Sequence, residues 1–472
     1  MHQTARNNNK ISLQDVRGIK DTIALQRKFF DTLATRDPHF RIEALKALHR
    51  EISSREQEIC DALMEDFSKP FHETYETEIG IILDEIRYTI RHLRKWARRK
   101  KVSSPLAQFP SRSYVYSEPY GVVLIIAPWN YPFQLVMAPL IGAIAAGNCV
   151  VVKTAPAAPN TSTVIEEIIG AVFSRSHGAA FGGGVDISKQ LLNETYDYIF
   201  FTGGPVVGKI IAEKAARDLT PVTLELGGKS PCIVHSDADI ATAARRIVWG
   251  KFLNCGQTCV APDYLLVQKD VQDTLLSHMK AEVKNFYGDN PALSPDYSRI
   301  INDDHFRRLT GLLGKGTPVT GGITDAAQRY IAPTILRDVS PEDPVMQEEI
   351  FGPILPVLVY DELDEAILFV RNRDKPLALY LFTGSGKTER TVIQHLSYGG
   401  GCINDTIVHL SNPELPFGGV GMSGIGAYHG KAGFDLFSHK KSVLKKSVLF
   451  DLPIRYAPYT PLKMKLLKLF LK

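Results

Sequence analysis

The sequence predicts an α/β fold in which parallel sheets carry helices on both faces. From about residue 120 onwards, short apolar runs alternate with helical stretches, an alternation typical of parallel strands that are buried on both sides. The chain has 472 residues, which at roughly 150 residues per domain allows about two to four domains. Hydrophobic residues make up 44% and charged residues 22%, as in ordinary globular proteins.

The first part of the chain has helical periodicity instead. Ile42, Leu45 and Leu48 recur three to four residues apart among charged positions, which predicts helices across residues 13–100. The stretch 100–120 begins basic, becomes rich in Ser and Pro, and then alternates, so it predicts a linker followed by a strand.

The alternating units can be assigned in order along the rest of the chain. Strands are predicted at 121–127, 149–152, 198–201 and 222–226, and helices at 137–146, 161–173 and 206–217. Beyond residue 227 the alternation resumes, with strands at 231–234 and 264–268 and helices at 240–252, 271–286 and 303–313. The sequence therefore predicts a second α/β domain after the first.

The run 135–152 is long enough to raise the question of a membrane span. It is apolar except for Asn148, but Pro139 interrupts it and Gly142 and Gly147 loosen it. No cluster of charges anchors both of its ends. A core helix that leads into a buried strand is therefore the preferred interpretation.

The charges and cysteines exclude several classes of protein. The formal net charge is +4, yet the segment from Lys440 to Lys472 carries nine basic residues and one acidic residue, Asp451. The body is then mildly acidic, which argues against a nucleic-acid binder. Six cysteines without zinc spacing predict free thiols, no metal site and a reducing, cytoplasmic location. Residues 1–12 are polar and predict a disordered start without a secretory signal.

Two segments carry candidate reactive side chains. Cys259 follows a helical pattern that ends in Gly and small polar residues, where exposed backbone N–H groups favour a thiolate. Glu225 lies inside an apolar strand beside a Gly-Gly turn, and a buried carboxylate without a partner usually has a role. The alternatives are a buried thiol that serves as a small apolar side chain, and a glutamate that faces solvent or forms a salt bridge.

Two further segments carry candidate binding groups. The strand that ends at Phe201 is followed by a turn with Gly203, Gly204 and Gly208, which can bring backbone N–H groups to a phosphate at a helix N-terminus. Asn130 lies between two prolines after an apolar strand, where its amide can donate to an oxyanion. The alternatives are a plain strand–helix connection and a turn-forming asparagine.

Taken together and in order, these motifs resemble the aldehyde dehydrogenase superfamily over nearly the full chain. The motifs that carry the resemblance are Pro128–Asn130, Phe201–Gly203 with Gly208, Leu224–Gly228, Gly256–Cys259, Glu349–Pro353 and Pro416–Gly421. Residues 197–229 and 417–431 are most similar to the class 3 branch, which includes fatty and aromatic aldehyde dehydrogenases that are usually dimers.

The resemblance implies oxidation of an aldehyde to a carboxylic acid through a covalent thiohemiacetal and thioester on Cys259. It implies that Asn130 and the backbone N–H of Cys259 stabilise the oxyanion, and that Glu225 activates the water that releases the acid. Medium- or long-chain aliphatic or aromatic aldehydes are the expected substrates.

The resemblance also implies NAD⁺ and/or NADP⁺ as the cofactor, and it assigns candidate binding residues. Lys153 matches the contact to the adenosine ribose, Glu349 the contact to the nicotinamide ribose, and Phe351 the aromatic residue beside the ring. The full set of cofactor candidates is Trp129, Lys153, Thr202, Gly203, Gly204, Gly208, Leu226, Glu349 and Phe351.

Two positions depart from the family pattern. Pro156 stands where many relatives have an acidic residue three positions after the lysine. A carboxylate there would repel a 2′-phosphate, so its absence leads to the hypothesis that NADP⁺ is at least tolerated. Gly204 stands where relatives often have Ser, which removes one hydroxyl contact to the pyrophosphate.

Five residues are candidates for the wall of the aldehyde pocket, namely Tyr131, Trp249, Leu253, Cys255 and His409. Cys255 has an alternative role because it precedes Cys259 by four residues. If this segment were helical, the two thiols would share a face and could oxidise reversibly.

The expected architecture has a Rossmann-like cofactor domain, a second α/β catalytic domain and a small β oligomerisation arm. The cofactor domain would hold residues 13–96 and 119–226, and the catalytic domain 227–427. The arm would come from 97–118 and 428–452 and would pair with a second copy to form a homodimer.

Residues 453–472 predict a short basic amphipathic tail. Lys465, Lys468 and Lys472 share one face of a helical wheel, apolar residues lie opposite, and Lys463 interrupts them. Such a helix can lie on an anionic membrane surface, as the tails of some class 3 relatives do. The alternative is a helix that docks on the protein or on its dimer partner.

Other classes of function remain open from the sequence. A thioester or ester hydrolase could use the same Cys259 and Glu225 without a cofactor. Glu349, Phe351 and the glycine turn argue for cofactor use instead. A coenzyme-A-acylating enzyme is disfavoured because Glu225 offers a base for water, and a purely structural protein is disfavoured because Asn130, Glu225 and Cys259 occur together.

Overall fold

The computed structural model describes residues 13–471 of the chain, so the predicted disordered start lies outside the described residues. The helices are α1 Leu13–Asp31, α2 Pro38–Ser54, α3 Glu56–Phe67, α4 Phe71–Thr74, α5 Gly80–Trp96, α6 Gln134–Ala146, α7 Pro159–Val172, α8 Val185–Asn193, α9 Pro205–Asp218, α10 Ile240–Phe252, α11 Gln272–Tyr287, α12 Asp303–Gly311, α13 Leu363–Arg371, α14 Gly386–His395, α15 Gly430–Leu436 and α16 Pro461–Phe470. The strands are β1 Lys100–Val102, β2 Ser111–Pro119, β3 Val122–Ile126, β4 Cys149–Lys153, β5 Gly178–Phe181, β6 Tyr198–Thr202, β7 Val222–Glu225, β8 Pro231–Val234, β9 Tyr264–Gln268, β10 Thr317–Thr320, β11 Thr324–Asp325, β12 Tyr330–Ile331, β13 Thr334–Arg337, β14 Ile354–Tyr360, β15 Ala378–Phe382, β16 Gly400–Ile403, β17 Gly424–Ile425 and β18 Ser438–Lys446.

The first sheet has six strands in the order β17-β7-β6-β3-β4-β5, and all its pairs are parallel except β17 with β7. Helices cover both of its faces, as the continuous apolar strands predicted. Val122 and Leu124 of β3 pack in one core with α1 and α9, whereas Val123 and Ile125 pack in the other with α5, α6 and α7. This alternation follows from the two-residue period of a strand.

The second sheet has seven strands in the order β10-β13-β14-β9-β8-β15-β16. Its pairs are parallel except β10 with β13. Helices α10 and α11 pack against each other beside it. The predicted α/β class is therefore confirmed, and β8, β9 and α10 have the predicted bounds.

The third sheet is antiparallel and has the order β1-β2-β18. Strands β2 and β18 pair along their whole length, from Pro119 with Ser438 to Ser111 with Lys446. Just before β18 the chain returns to the first sheet, where β17 pairs with β7 and α15 packs on α6.

Helix α6 and strand β4 account for the long apolar run, and every residue of both elements is buried. The helix begins at Gln134, three residues before the predicted start. The buried Glu78 carboxylate accepts the backbone N–H groups of Phe133 and Gln134, and these contacts stabilise the first turn. No helix within residues 13–471 is long and apolar enough to cross a membrane.

Candidate active site

Two cavities meet at Cys259, between the first and second sheets. The smaller cavity, with a volume of about 120 Å³, is called the apolar cavity and includes Trp249 and Leu253 in its lining. The larger one, of about 360 Å³, is called the polar cavity because Glu225, Arg308 and Glu349 line it. Both are lined by Leu135, Cys259, Phe417 and Tyr428. The thiol is thus reached from two directions.

The apolar cavity contains three of the five predicted wall residues, Tyr131, Trp249 and Leu253. The sequence did not assign the other lining residues to the pocket wall. They come from the segment that leads into α5, from α5 and α6, from the neighbours of Cys259, and from residues 407–411, 417 and 428–429. These additional residues are Glu76, Thr77, Ile81, Gln134, Leu135, Thr258, Val260, Ile407, Val408, Leu410, Ser411, Phe417, Tyr428 and His429.

Cys255 and His409 lie outside the lining of this cavity, contrary to the prediction. His409 packs its ring near Tyr380 and Phe417, and its Nδ1 lies 3.5 Å from the Cys402 Sγ. Its neighbours along the chain take the wall positions instead, because the segment Val408–Ser411 is a 3₁₀ turn.

The helical segment that a Cys255–Cys259 pair would require is not formed. Asn254 and Cys255 both have left-handed backbone conformations, with φ of 54° and 53°, inside the turn Leu253–Gly256. Cys255 is buried and its thiol contacts Tyr297. The turn therefore directs Cys255 and Cys259 into different surroundings.

Cys259 is only partly exposed, in the turn that follows α10. Burial raises the pKa of its thiol to about 12, and the carboxyl groups of Glu349 and Glu225 act in the same direction. The backbone N–H groups of Cys259 and Val260 oppose this rise. Without ligands, the thiol is therefore protonated at neutral pH.

Glu225 ends strand β7 and is buried. Neither of its carboxylate oxygens has a hydrogen-bond partner within the described part of the chain. Burial raises its pKa well above the usual range, because the charged form loses its hydration. An isolated buried carboxylate costs free energy, so Glu225 stays a candidate functional residue.

Asn130 lies in the loop after β3 and lines the polar cavity. Its Nδ2 donates to the backbone carbonyl of Gln257 over 3.1 Å. Tyr131 adds a second tie, since its hydroxyl lies 2.7 Å from the Thr258 Oγ1. The loop that carries Asn130 is thus bound directly to the turn that carries Cys259.

The polar cavity brings together seven of the nine cofactor candidates. These seven are Trp129, Thr202, Gly203, Gly204, Leu226, Glu349 and Phe351. Gly204 precedes the first residue of α9, and a Cβ on it would meet open space. The Thr202 Oγ1 is buried and lacks a partner in the described residues. The N-terminus of α9, the open space at Gly204 and the buried Thr202 hydroxyl together suit a phosphate group.

Lys153 and Gly208 do not line the cavity. The Lys153 Nζ donates to the carbonyls of Thr154 and Gly183, and burial lowers its pKa to about 8. A Cβ on Gly208 would lie 2.7 Å from the Leu226 Cδ2, so glycine lets Leu226 close over the helix. Gly208 thus affects the polar cavity indirectly, through the position of Leu226 in its lining.

Glu349 is the second carboxyl group that lines the polar cavity, and its side chain is half-buried. Burial raises its pKa to about 8, while the backbone N–H of Gly228 acts against the rise. A Cβ on Gly227 would lie 2.1 Å from the Glu349 Oε2, so only glycine allows this approach. Arg308 holds the following segment by donating to the carbonyls of Glu349 and Ile350.

Two residues of the site, Tyr428 and His305, were not assigned a role from the sequence. Tyr428 lines both cavities and contacts the side chain of Gln134. His305 packs its ring 4.8 Å from that of Trp129. These residues come from distant segments without a strand–turn pattern, so only the folded chain brings them to the site.

The glycine turn lies at the carboxyl ends of parallel strands, where open α/β sheets bind nucleotides. A cavity at this position beside a thiol and two carboxyl groups suits a nucleotide-dependent enzyme. The sequence model described as "Aldehyde dehydrogenase family" matches residues 2–443. This chain belongs to the aldehyde dehydrogenase family.

Similar proteins support the same assignment. The chain is 49% identical to the 4,4'-diaponeurosporen-aldehyde dehydrogenase of Staphylococcus aureus, over 94% of this chain and 97% of that protein. It is 46% identical to the dimeric NADP-preferring aldehyde dehydrogenase of Rattus norvegicus, over 94% and 99%. A solved structure of Staphylococcus aureus AldH in a substrate-bound state has a TM-score of 0.94 at 48% identity, covering 96% of this chain and 99% of that one.

The expected family and activity are therefore confirmed. The chain is an NAD(P)⁺-dependent aldehyde dehydrogenase, and its most similar relatives include class 3 members.

Proposed function

We propose that this enzyme oxidises medium-chain, long-chain or aromatic aldehydes, with Cys259 as the nucleophile and Glu225 as the base for water. The observation that carries the proposal is the junction of the two cavities at Cys259. An aldehyde chain can enter along the apolar cavity while the nucleotide occupies the polar one. The carbonyl carbon and the hydride acceptor then approach the same sulfur.

The reaction begins when the Cys259 thiol gives its proton to solvent water, which is the one proton that the complete reaction releases. The thiolate attacks the aldehyde carbon, a C–S bond forms, and the carbonyl π electrons move to oxygen. The second N–H of the Asn130 amide and the backbone N–H of Cys259 stabilise this oxyanion. NAD(P)⁺, when bound, supplies the hydride acceptor that converts the thiohemiacetal into a thioester.

Glu225 acts in the second half of the reaction. Burial makes its carboxylate a stronger base than an exposed glutamate, so it can take a proton from water as the water attacks the thioester. The C–S bond breaks, the carboxylic acid leaves, and Cys259 regains its proton.

The cofactor candidates divide by position. Thr202, Gly203 and Gly204 would hold the pyrophosphate at the N-terminus of α9, and Glu349 would bind the nicotinamide ribose. The remaining candidates are Trp129 and Phe351 beside the ring, Leu226 and Gly208 along the wall, and Lys153 at the adenosine ribose. Lys153 can donate its third proton there, because its two observed hydrogen bonds use two of three.

NADP⁺ should be accepted as well as NAD⁺. Pro156 leaves no carboxylate at that position to repel a 2′-phosphate, and one similar relative is named as NADP-preferring. Fluorescence titration with NADH and NADPH, together with kcat/KM for both oxidised cofactors, tests this. A strong preference for NAD⁺ in both measurements would contradict it.

The substrate class can be tested with a panel of aldehydes. We expect kcat/KM to rise from acetaldehyde towards hexadecanal or benzaldehyde, because the lining of the cavity is mainly apolar. The matched variants Cys259→Ala and Glu225→Gln separate the two half-reactions. Cys259→Ala should lose all NAD(P)H formation, whereas Glu225→Gln should keep a single-turnover burst and lose steady-state turnover by about 100-fold. A Glu225→Gln enzyme with unchanged turnover would overturn the role of Glu225.

A thioester or ester hydrolase is the second candidate, because Cys259 and Glu225 are neighbours that could act without a cofactor. The two activities separate by measurement. Oxidation produces NAD(P)H only when an aldehyde is present, whereas hydrolysis of an ester such as p-nitrophenyl acetate needs no cofactor. We expect hydrolysis as the slower, secondary activity.

We also propose that the enzyme is a homodimer in which the arm sheets pair. Strand β18 is an exposed edge from His439 to Lys445, and such an edge can pair with a second copy. We propose a division of the chain into three parts. Residues 13–96 and 119–226 bind the cofactor, residues 227–427 form the catalytic domain, and residues 97–118 with 428–452 form the arm. Light scattering should give the mass of two chains, and a monomer would contradict the proposal.

The basic tail is proposed to contact an anionic membrane surface from the cytoplasmic side. Leu462, Met464 and Leu469 of α16 are exposed, as are Lys465 and Lys468. Lys463 donates its Nζ to backbone carbonyls of the preceding turn, so its charge does not interrupt the apolar side as the sequence suggested. Exposed apolar and basic residues together suit peripheral binding.

A further inference from the structure

The turn before the nucleophile has an unusual backbone. Asn254 and Cys255 are consecutive residues in the left-handed region, which costs free energy for residues with a side chain. Asparagine tolerates this conformation better than most residues. Asn254 is also completely buried, so its amide must find partners inside the protein.

The Asn254 amide joins the two loops that form the reaction centre. Its Nδ2 donates to the backbone carbonyl of Asn130 over 2.7 Å and to that of Gln257 over 3.1 Å. The Asn130 Nδ2 donates to the same Gln257 carbonyl over 3.1 Å. The Gln257 carbonyl thus accepts a hydrogen bond from the side-chain amide of Asn254 and another from that of Asn130. Asn130 is held through its backbone carbonyl as well as through its side chain.

This arrangement orients the Asn130 amide. A primary amide has two N–H groups, and Gln257 takes one of those on Asn130. The second N–H is then directed by the plane of the amide and remains available to the oxyanion. A shift in the Asn130 backbone would turn both N–H groups of the Asn130 amide together.

The position of Asn254 is itself held from two sides. Gln257 returns a hydrogen bond from its Nε2 to the carbonyl of Asn254 over 3.1 Å. On the other side, the backbone N–H of Asn254 contacts the buried carboxyl group of Glu73 from α4. The turn is thereby tied to the helices of the first sheet as well as to the loop after β3.

We propose that Asn254 is a positioning residue that aims the Asn130 amide at the oxyanion. The inference rests on the proposed role of Asn130 in the reaction. Asn254 is not among the residues that line either cavity. Its removal is therefore expected to act on the rate through Asn130.

A double-mutant cycle tests this. Asn254→Gly keeps the left-handed backbone without strain but removes both donors. Asn130→Ala should lower kcat/KM for the aldehyde by about 100-fold, and Asn254→Gly by about tenfold. In the Asn130→Ala enzyme, adding Asn254→Gly should lower kcat/KM by less than about twofold, because the group it aims is already gone.

Asn148 provides a matched control. It is also fully buried, and its Nδ2 also donates to two backbone carbonyls, those of Ala143 and Phe437. Asn148→Gly should lower the melting temperature to a similar extent but leave kcat/KM near that of the unmodified enzyme. The Kd for NADH, measured by fluorescence, should change less than about twofold in Asn254→Gly.

The outcomes separate the inference from the proposed function. If the effects of Asn130→Ala and Asn254→Gly multiply, Asn254 does not act through Asn130 and the inference is overturned. If Asn130→Ala leaves kcat/KM unchanged, the proposed role of Asn130 fails first. Should Asn254→Gly not fold, Asn254→Ser, which keeps one donor, goes through the same cycle with the same criteria.

Discussion

At the scale of single residues, burial sets the chemistry of this site. Cys259, Glu225 and Glu349 lie close enough for the carboxyl groups to raise the pKa of the thiol. Each acidic group thus keeps its proton more strongly than it would in water. The sequence indicated Cys259, Glu225 and Glu349, and it indicated the backbone N–H groups that favour a thiolate at Cys259. Burial acts against those N–H groups, and burial cannot be seen in a local sequence pattern.

The alkylation of Cys259 should therefore depend steeply on pH. A pKa of about 12 means that the thiolate fraction of the free enzyme rises about tenfold per pH unit through the neutral range. Iodoacetamide should react about 100-fold faster at pH 9 than at pH 7, with Cys259→Ala as the control for the other thiols. A plateau below pH 8 would show that the free enzyme already holds a thiolate.

At the scale of elements, a buried ion pair joins the first helices to α6. The Lys69 Nζ lies 2.6 Å from the Glu78 Oε1, both side chains are completely buried, and Lys69 also lies over the ring of Tyr131. Glu78 uses its other oxygen for the first turn of α6. The end of α6 at Ala146 was predicted correctly, but its start was missed by three residues because this cap comes from a residue 55 positions away.

Removing Glu78 should destabilise the protein strongly. Glu78→Ala leaves Lys69 charged, buried and without its partner, which should lower the free energy of unfolding by about 3–5 kcal/mol. The exposed pair Glu43–Lys46 is the matched control, and Glu43→Ala should leave the free energy of unfolding nearly unchanged because solvent screens this pair. Urea denaturation followed by circular dichroism measures both, and equal midpoints for the two variants would refute the expectation.

At the scale of the whole molecule, charge separates the tail from the body. The segment from residue 440 onwards is strongly basic, while the rest of the chain is mildly acidic. Among the described elements, helix α16 makes its most extensive contacts with two short turns, at residues 106–108 and 453–455. An anionic surface should attract this end of the molecule and repel the remainder.

Charge reversal on the tail should weaken binding to anionic vesicles. Lys468→Glu should lower the bound fraction at low salt by several-fold, because one basic residue near such a surface contributes about 1 kcal/mol. Lys280→Glu changes the net charge equally, lies exposed on α11, and should have little effect. Sedimentation with phosphatidylserine vesicles measures both, and a protein lacking residues 453–472 that still binds fully would exclude the tail as the contact.

The α/β class, the family and the bounds of β8, β9 and α10 were predicted correctly from the sequence, because they depend on local apolar runs and short motifs. Strand burial appears as an apolar run, and the motif around Cys259 lies in one short segment. The tertiary structure decided what depends on distant segments. It excluded the helical Cys255–Cys259 arrangement and placed His409 outside the lining of the apolar cavity. It also brought Tyr428 into both cavities and joined Asn254 to Asn130 across more than a hundred residues. Those contacts form between loops whose local sequences do not encode one another, so only the packing of the two sheets specifies them.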